Sequence, residues 1–262
     1  LARLHEVGIF DSGHLVIKGG TALRKFRAGN AGRFSTDLDF AVGTQGLEEY
    51  VLEALDNIAV DGFQFRIEVL VPGRRARLHV DTPLGTPTIP ARIDLSPKQA
   101  WLRPERMDLV PLPIHARYDV IVPPTPVMQV SEVIAEKLAR YRRASLARDL
   151  YDLYWLAGRP LDEPLVRRLW LLKCYIDIVE DSLGNAPINP LDVLQPRSSQ
   201  QFDEEAIGFL THPVDIALWE RTVRERYGFL ADLEQDETQW AQVNRRNHYE
   251  IQQVIAALGN GV

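Results

Sequence analysis

A chain of 262 residues, 45% hydrophobic and 25% charged, has globular composition and room for one large domain or two small ones. Its single cysteine, Cys174, excludes an intrachain disulfide and a cysteine-ligated zinc site. The net charge of -6 argues against a general nucleic-acid binder, and no apolar run reaches the length of a membrane span. No signal-peptide pattern opens the chain, so the expectation is a cytoplasmic protein with no membrane association and no DNA partner.

In chain order, the apolar run His14-Leu15-Val16-Ile17 predicts a short buried strand closed by Lys18-Gly19-Gly20-Thr21. Paired glycines let a backbone approach a ligand closely, and their N–H groups suit phosphate oxygens. Ser35-Thr36-Asp37-Leu38-Asp39-Phe40 alternates as a strand, with Ser35, Asp37 and Asp39 on one face and Leu38 and Phe40 on the other. Two carboxylates on one face repel unless a cation lies between them. Mg2+, or Mn2+ in its place, takes carboxylate oxygens together with substrate phosphates. Leu47 to Ile58 has a helical apolar face. Phe63 to Val69 and Ala76 to Val80 pair as strands across Pro72-Gly73, and Ile89 to Leu95 is the next strand. Val120-Ile121-Val122 runs into Pro123-Pro124-Thr125-Pro126, where prolines bar a helix or central strand, so a boundary is set between 125 and 126. Beyond it the pattern is helical: Ser131 caps 132–143, and further helices fall near 146–157, 163–182, 203–209, 213–234 and 236–258. Residues 185–201, rich in Pro, Asn and Ser, form a loop.

Three stretches carry a resemblance to a known family: Ile17-Lys18-Gly19-Gly20-Thr21-Ala22-Leu23, Arg33-Phe34-Ser35-Thr36-Asp37-Leu38-Asp39-Phe40, and Ala135-Glu136-Lys137-Leu138 with Arg148-Asp149-Leu150-Tyr151-Asp152-Leu153. In these the chain resembles the AbiEii/MenT nucleotidyltransferase toxins of the DNA polymerase β-like superfamily, over its first 160 residues or so. The resemblance implies an α+β fold: a polymerase-β-like nucleotidyltransferase domain with a mixed sheet over 1–125, then an all-α helical domain over 126–262 contributing Lys137 and Asp152. It further implies a toxin with a cognate antitoxin, transferring nucleotides from an NTP, in some members to the 3′ end of tRNA.

On that footing Asp37 and Asp39 are the metal ligands, and Lys18, Gly19, Gly20, Thr21 and Ser35 contact nucleotide phosphate. Asp94, in Arg92-Ile93-Asp94-Leu95, is the candidate third carboxylate, with Glu68 and Asp81 as competitors. Lys137 and Asp152 lie roughly 22 Å apart on one continuous helix at 1.5 Å per residue. A break at Arg142-Arg143-Ala144-Ser145, with Ser145 as N-cap, would fold two antiparallel helices together and join them. The bland alternative is an Arg148–Asp152 helix pair. Residues 1–160 carry 21 Lys+Arg against 19 Asp+Glu, while 161–262 carry 9 against 17. Arginine clusters around residues 24–33, 74–77 and 140–148 are therefore candidate RNA contacts. The competing function is nucleotidyl transfer to a small molecule of the aminoglycoside kind, or to a protein acceptor.

Overall fold

Leu15-Val16-Ile17 is buried almost completely, and as an unbroken apolar, β-branched run it forms β1 (Leu15–Lys18) near the centre of an eight-stranded sheet. The structure is a computed structural model describing residues 1–60, 62–113, 115 and 121–259. The chain divides into two compact units, Leu1–Met128 and Gln129–Val262.

In the first unit, α1 (Ala2–Glu6) precedes β1, and α2 (Gly19–Leu23) starts directly at its end and runs into a π-helical turn, Arg24–Ala28. Then come β2 (Leu38–Val42), α3 (Leu47–Leu55), β3 (Ile58–Val60), β4 (Phe63–Val71), β5 (Arg75–Thr82), β6 (Gly85–Ser96), β7 (Glu105–Met107) and β8 (Thr125–Val127). The strand order is β3-β4-β5-β6-β2-β1-β8-β7. Pairing of β2 with β6 and of β1 with β8 is parallel; the other pairings are antiparallel, so the sheet is mixed. Phe40 meets Ile17 on one side and Leu95 on the other, and all three belong to one core with Phe10, Val51 and Ile93.

Several boundaries differ from the sequence expectations. The strand expected over 35–40 starts only at Leu38, so Ser35 and Asp37 precede it. The helix expected to reach Ile58 ends at Leu55, because the Asp56 carboxylate accepts the Ile67 N–H at 2.7 Å and Asn57 takes a positive φ of 52°. In the apolar segment that runs into the proline cluster, Val120 lies outside the described residues and Ile121 and Val122 are not in a strand. The strand is instead Thr125–Val127, through Pro126. An interior proline is accommodated because the bond to β1 passes one residue on, from Met128 N–H to the Ile17 carbonyl.

The described residues of the second unit hold α4 (Val130–Arg143), α5 (Ala147–Ala157), α6 (Glu163–Val179), α7 (Leu191–Leu194), α8 (Ile216–Arg226), α9 (Gln235–Ala241) and α10 (His248–Leu258). Asp162 and Asp215 cap α6 and α8 by accepting backbone N–H groups, and Glu234 with Glu237 forms a capping box on α9. Neither serine expected as a cap serves as one: Ser131 lies inside α4, and Leu146 stands at the N-cap of α5. Only Glu204–Ile207 of the 203–209 helix forms, as a 3-10 turn. The 213–234 helix breaks after Arg226 into a 3-10 turn at Gly228–Ala231. The 236–258 helix breaks where Val243 adopts a φ of 56°. The 185–201 loop carries α7. Trp170, Trp219 and Trp240 are core residues. Among the described residues, no helix is long and apolar enough to cross a membrane.

Phe40, fully buried on β2 between two neighbouring strands, tests this core. Phe40→Ala is expected to cost about 3–5 kcal/mol in urea unfolding, and a loss near zero would contradict the packing.

Candidate active site

The register places Lys18 on β1 opposite Asp39 on β2, Asp39 beside Asp94 on β6, and Asp94 opposite Arg75 on β5. Partners in register share a sheet face, so these four side chains form one row, cation-anion-anion-cation. Their chain neighbours Ile17, Phe40, Ile93 and Leu95 are in the core, so the row lies on the opposite face. Neighbouring strands stand about 4.8 Å apart, close enough for the Asp39 and Asp94 charges to repel unless compensated.

Two arginines supply the compensation. Arg75 Nε lies 2.5 Å from Asp94 Oδ1, and Arg92 Nε lies 2.9 Å from Asp94 Oδ2. Arg92 Nη2 also donates to Asp37 Oδ2 at 2.5 Å. The sequence expectation of a third carboxylate finds Asp94 in register with Asp39. Glu68 and Asp81 lie further out on β4 and β5, engaged by Arg77 and His79 and by Arg66 and Thr88. Among the described residues, no group of three or more His, Cys, Asp or Glu is placed to hold a metal ion. The pair Asp37 and Asp39 has suitable chemistry, since both are carboxylates, both are partly exposed, and they lie two residues apart.

The glycine pair is dictated by close approach. Gly19 has a φ of +75°, and a Cβ built on it would stand 2.1 Å from Asp39 Oδ2. A Cβ on Gly20 would stand 2.3 Å from Arg33 Nη2 and 3.4 Å from Ser35 Oγ. The backbone that opens α2 therefore packs directly against the carboxylate of β2 and the segment leading into it. Thr21 is buried, and its hydroxyl donates to the Ser35 carbonyl at 3.3 Å, tying the two motifs together. Lys18 stands at the N-cap of α2 in extended conformation.

In the second unit, Lys137 Nζ lies 2.6 Å from Asp152 Oδ2 and 3.6 Å from Asp149 Oδ1, with all three side chains buried. Arg140 closes on both Asp149 oxygens. The break between α4 and α5 does bring Lys137 and Asp152 together. Asp149 is the residue sequence reasoning missed, although a signal was present: a step of three residues from Lys137 to Arg140 is matched by three from Asp149 to Asp152, as two antiparallel helices require. Burial opposes the charge on Asp149, but Lys137 and Arg140 outweigh it and hold its carboxyl below the ordinary value of 3.8.

The arginine clusters are less available than their sequence density suggests. Arg75 and Arg77 bind Asp94 and Glu68, Arg142 binds Asp192 and two backbone carbonyls, Arg143 binds Asp177, and Arg24 lies over the Phe34 ring. Cys174 is buried, and burial pushes its thiol far up, so it offers no nucleophile.

The sequence model of the family described as "Nucleotidyl transferase AbiEii toxin, Type IV TA system" matches residues 7–244. The solved structure of MenT4, a nucleotidyltransferase toxin from Mycobacterium tuberculosis H37Rv, is similar at 42% identity and a TM-score of 0.89, covering 98% of this chain and 92% of that one. A Helicobacter pylori structure, described provisionally as a nucleotidyltransferase, aligns at 19% identity and a TM-score of 0.46, covering 88% and 92%. No curated protein matches the sequence.

Gly73 provides a control for Gly19, since its φ is +62° and nothing stands within 4 Å of its would-be Cβ. Gly73→Ala is expected to cost about 1–2 kcal/mol for the left-handed backbone alone. Gly19→Ala is expected to cost about 1–3 kcal/mol more, for the collision with Asp39. Equal losses in chemical denaturation would remove the claimed contact. For Asp149, a folded pKa below the ordinary value means stability present at neutral pH and lost as pH falls through the folded pKa. The stability gap between wild type and Asp149→Asn should be full above about pH 4 and shrink below it, as followed by urea unfolding across pH. A gap that widens on acidification would contradict the pairing.

Proposed function

This chain belongs to the AbiEii family of nucleotidyl transferase toxins of type IV toxin–antitoxin systems, and we propose that it transfers a nucleotidyl group from an NTP to the 3′ end of tRNA, so blocking translation. Membership makes it a nucleotidyltransferase and implies a cognate antitoxin. The observation that carries the reading is the contact of the Gly19 backbone with the Asp39 carboxylate, which sets a turn suited to phosphate beside a carboxylate pair suited to a cation.

Asp37 and Asp39 would hold Mg2+ or Mn2+, whose contribution when bound is to neutralise charge on the reacting phosphate. We assign Lys18, Gly19, Gly20, Thr21 and Ser35, at and around the start of α2, to the substrate phosphates. Within the second unit, Asp152 fixes the buried Lys137 ammonium. Asp94, with both oxygens against guanidinium groups, serves the row as its second anion. In the transfer, the acceptor hydroxyl oxygen bonds to the α-phosphorus, the bond from that phosphorus to the bridging oxygen breaks, pyrophosphate leaves, and the hydroxyl proton passes to solvent.

The test is incubation of the full chain with Mg2+, total tRNA and each labelled NTP in turn, beside Asp39→Ala. Label is expected on tRNA with wild type and at least about a hundredfold less with the variant. Undiminished transfer by Asp39→Ala would contradict the assignment of Asp39. Pyrophosphate release without label on RNA would move the acceptor to a small molecule or a protein.

A further inference from the structure

Arg92 is the residue this function does not yet use. It stands two positions before Asp94 on β6, hence on the same sheet face. The parallel register that pairs Leu38 with Ile93 brings it beside Asp37. Its side chain reaches both acids, yet among the described residues the one hydrogen bond it donates is the short bond from Nη2 to Asp37 Oδ2. Nε lies 2.9 Å from Asp94 Oδ2 but lacks hydrogen-bond alignment with any partner. The guanidinium is therefore held by charge more than by a satisfied two-pronged fork, which is the arrangement that makes arginine–carboxylate pairs strong. On its other side stands Arg77 on β5, the register partner of Arg92 and a like charge, itself engaged with Glu68. The Arg92 side chain is 42% exposed, so swinging it to solvent uncovers little buried surface.

We propose, resting on the metal reading above, that Arg92 is a resident counter-cation of the site. Its guanidinium neutralises Asp37 and Asp94 when no divalent cation is bound, and it must release Asp37 for one to bind. Metal affinity is then reduced by the fraction of molecules in which Asp37 is engaged. Metal alone binds weakly, and an NTP, bringing its own negative charge, offers the displaced guanidinium a new anion and tightens metal binding.

The test reads metal binding directly, by Mn2+ titration of the full chain followed by the paramagnetic resonance of free Mn2+, with and without NTP. Arg92→Gln is expected to tighten Mn2+ binding in the absence of NTP by about tenfold or more. Arg92→Lys, which keeps the cation, is expected to stay within about threefold of wild type. The gain should vanish when Asp37→Asn is added to Arg92→Gln. If wild type binds Mn2+ but Arg92→Gln binds it equally or more weakly, the counter-cation role is overturned and the metal reading survives. If neither protein binds Mn2+ even with NTP, the metal reading falls and this inference falls with it.

Discussion

The site depends on one contact, the approach of the Gly19 α-carbon to the Asp39 carboxylate. Where a side chain would begin, 2.1 Å from Asp39 Oδ2, only hydrogen fits, and the backbone takes a φ of +75° that glycine tolerates best. β1 can then end and α2 begin directly against β2. Gly20 repeats the arrangement with Arg33, and the Thr21 hydroxyl fixes the carbonyl of Ser35. Three consecutive residues thus register one motif upon the other.

A second constraint follows from the first. Packing β2 beside β6 sets Asp39 level with Asp94 and brings Asp37 close by, an arrangement that needs positive charge to persist. Lys18, Arg75 and Arg92 provide it from three strands. Further out the same face continues with opposed charges, Arg77 with Glu68 and Arg66 with Asp81. In the second unit the principle recurs under burial, where Lys137 and Arg140 face Asp152 and Asp149. Exposed pairs of the first kind contribute little each, whereas removing one partner of a buried set leaves an uncompensated charge.

Much of this was legible in the sequence, for reasons that can be named. The run Leu15-Val16-Ile17 and the alternation from Asp37 to Phe40 encode burial and face, and β1 and β2 appear where that pattern places them, within a few residues. The closing of Lys137 on Asp152 was legible from a helix break, but the break's chemistry was not: serines stood where caps were expected, and Leu146 took the position. Pro126 argued against a strand, yet a three-residue strand tolerates it because the neighbouring bond comes from Met128. Long-range partners were the least legible. Nothing local to Arg92 shows that Asp37, 55 positions away in sequence, lies beside it. The partners of several clustered arginines were hidden for the same reason, since the acids against Arg75, Arg77, Arg142 and Arg143 come from other strands and helices.

The central claim is that the carboxylates of Asp37 and Asp39 together take a divalent cation in the presence of nucleotide. The most direct measurement is an anomalous-scattering map from crystals soaked with Mn2+ and a non-hydrolysable NTP analogue. A Mn2+ peak is expected in contact with both carboxylates and with the triphosphate at the Gly19-Gly20 turn. A triphosphate bound elsewhere, or a Mn2+ peak that touches neither aspartate, would contradict it.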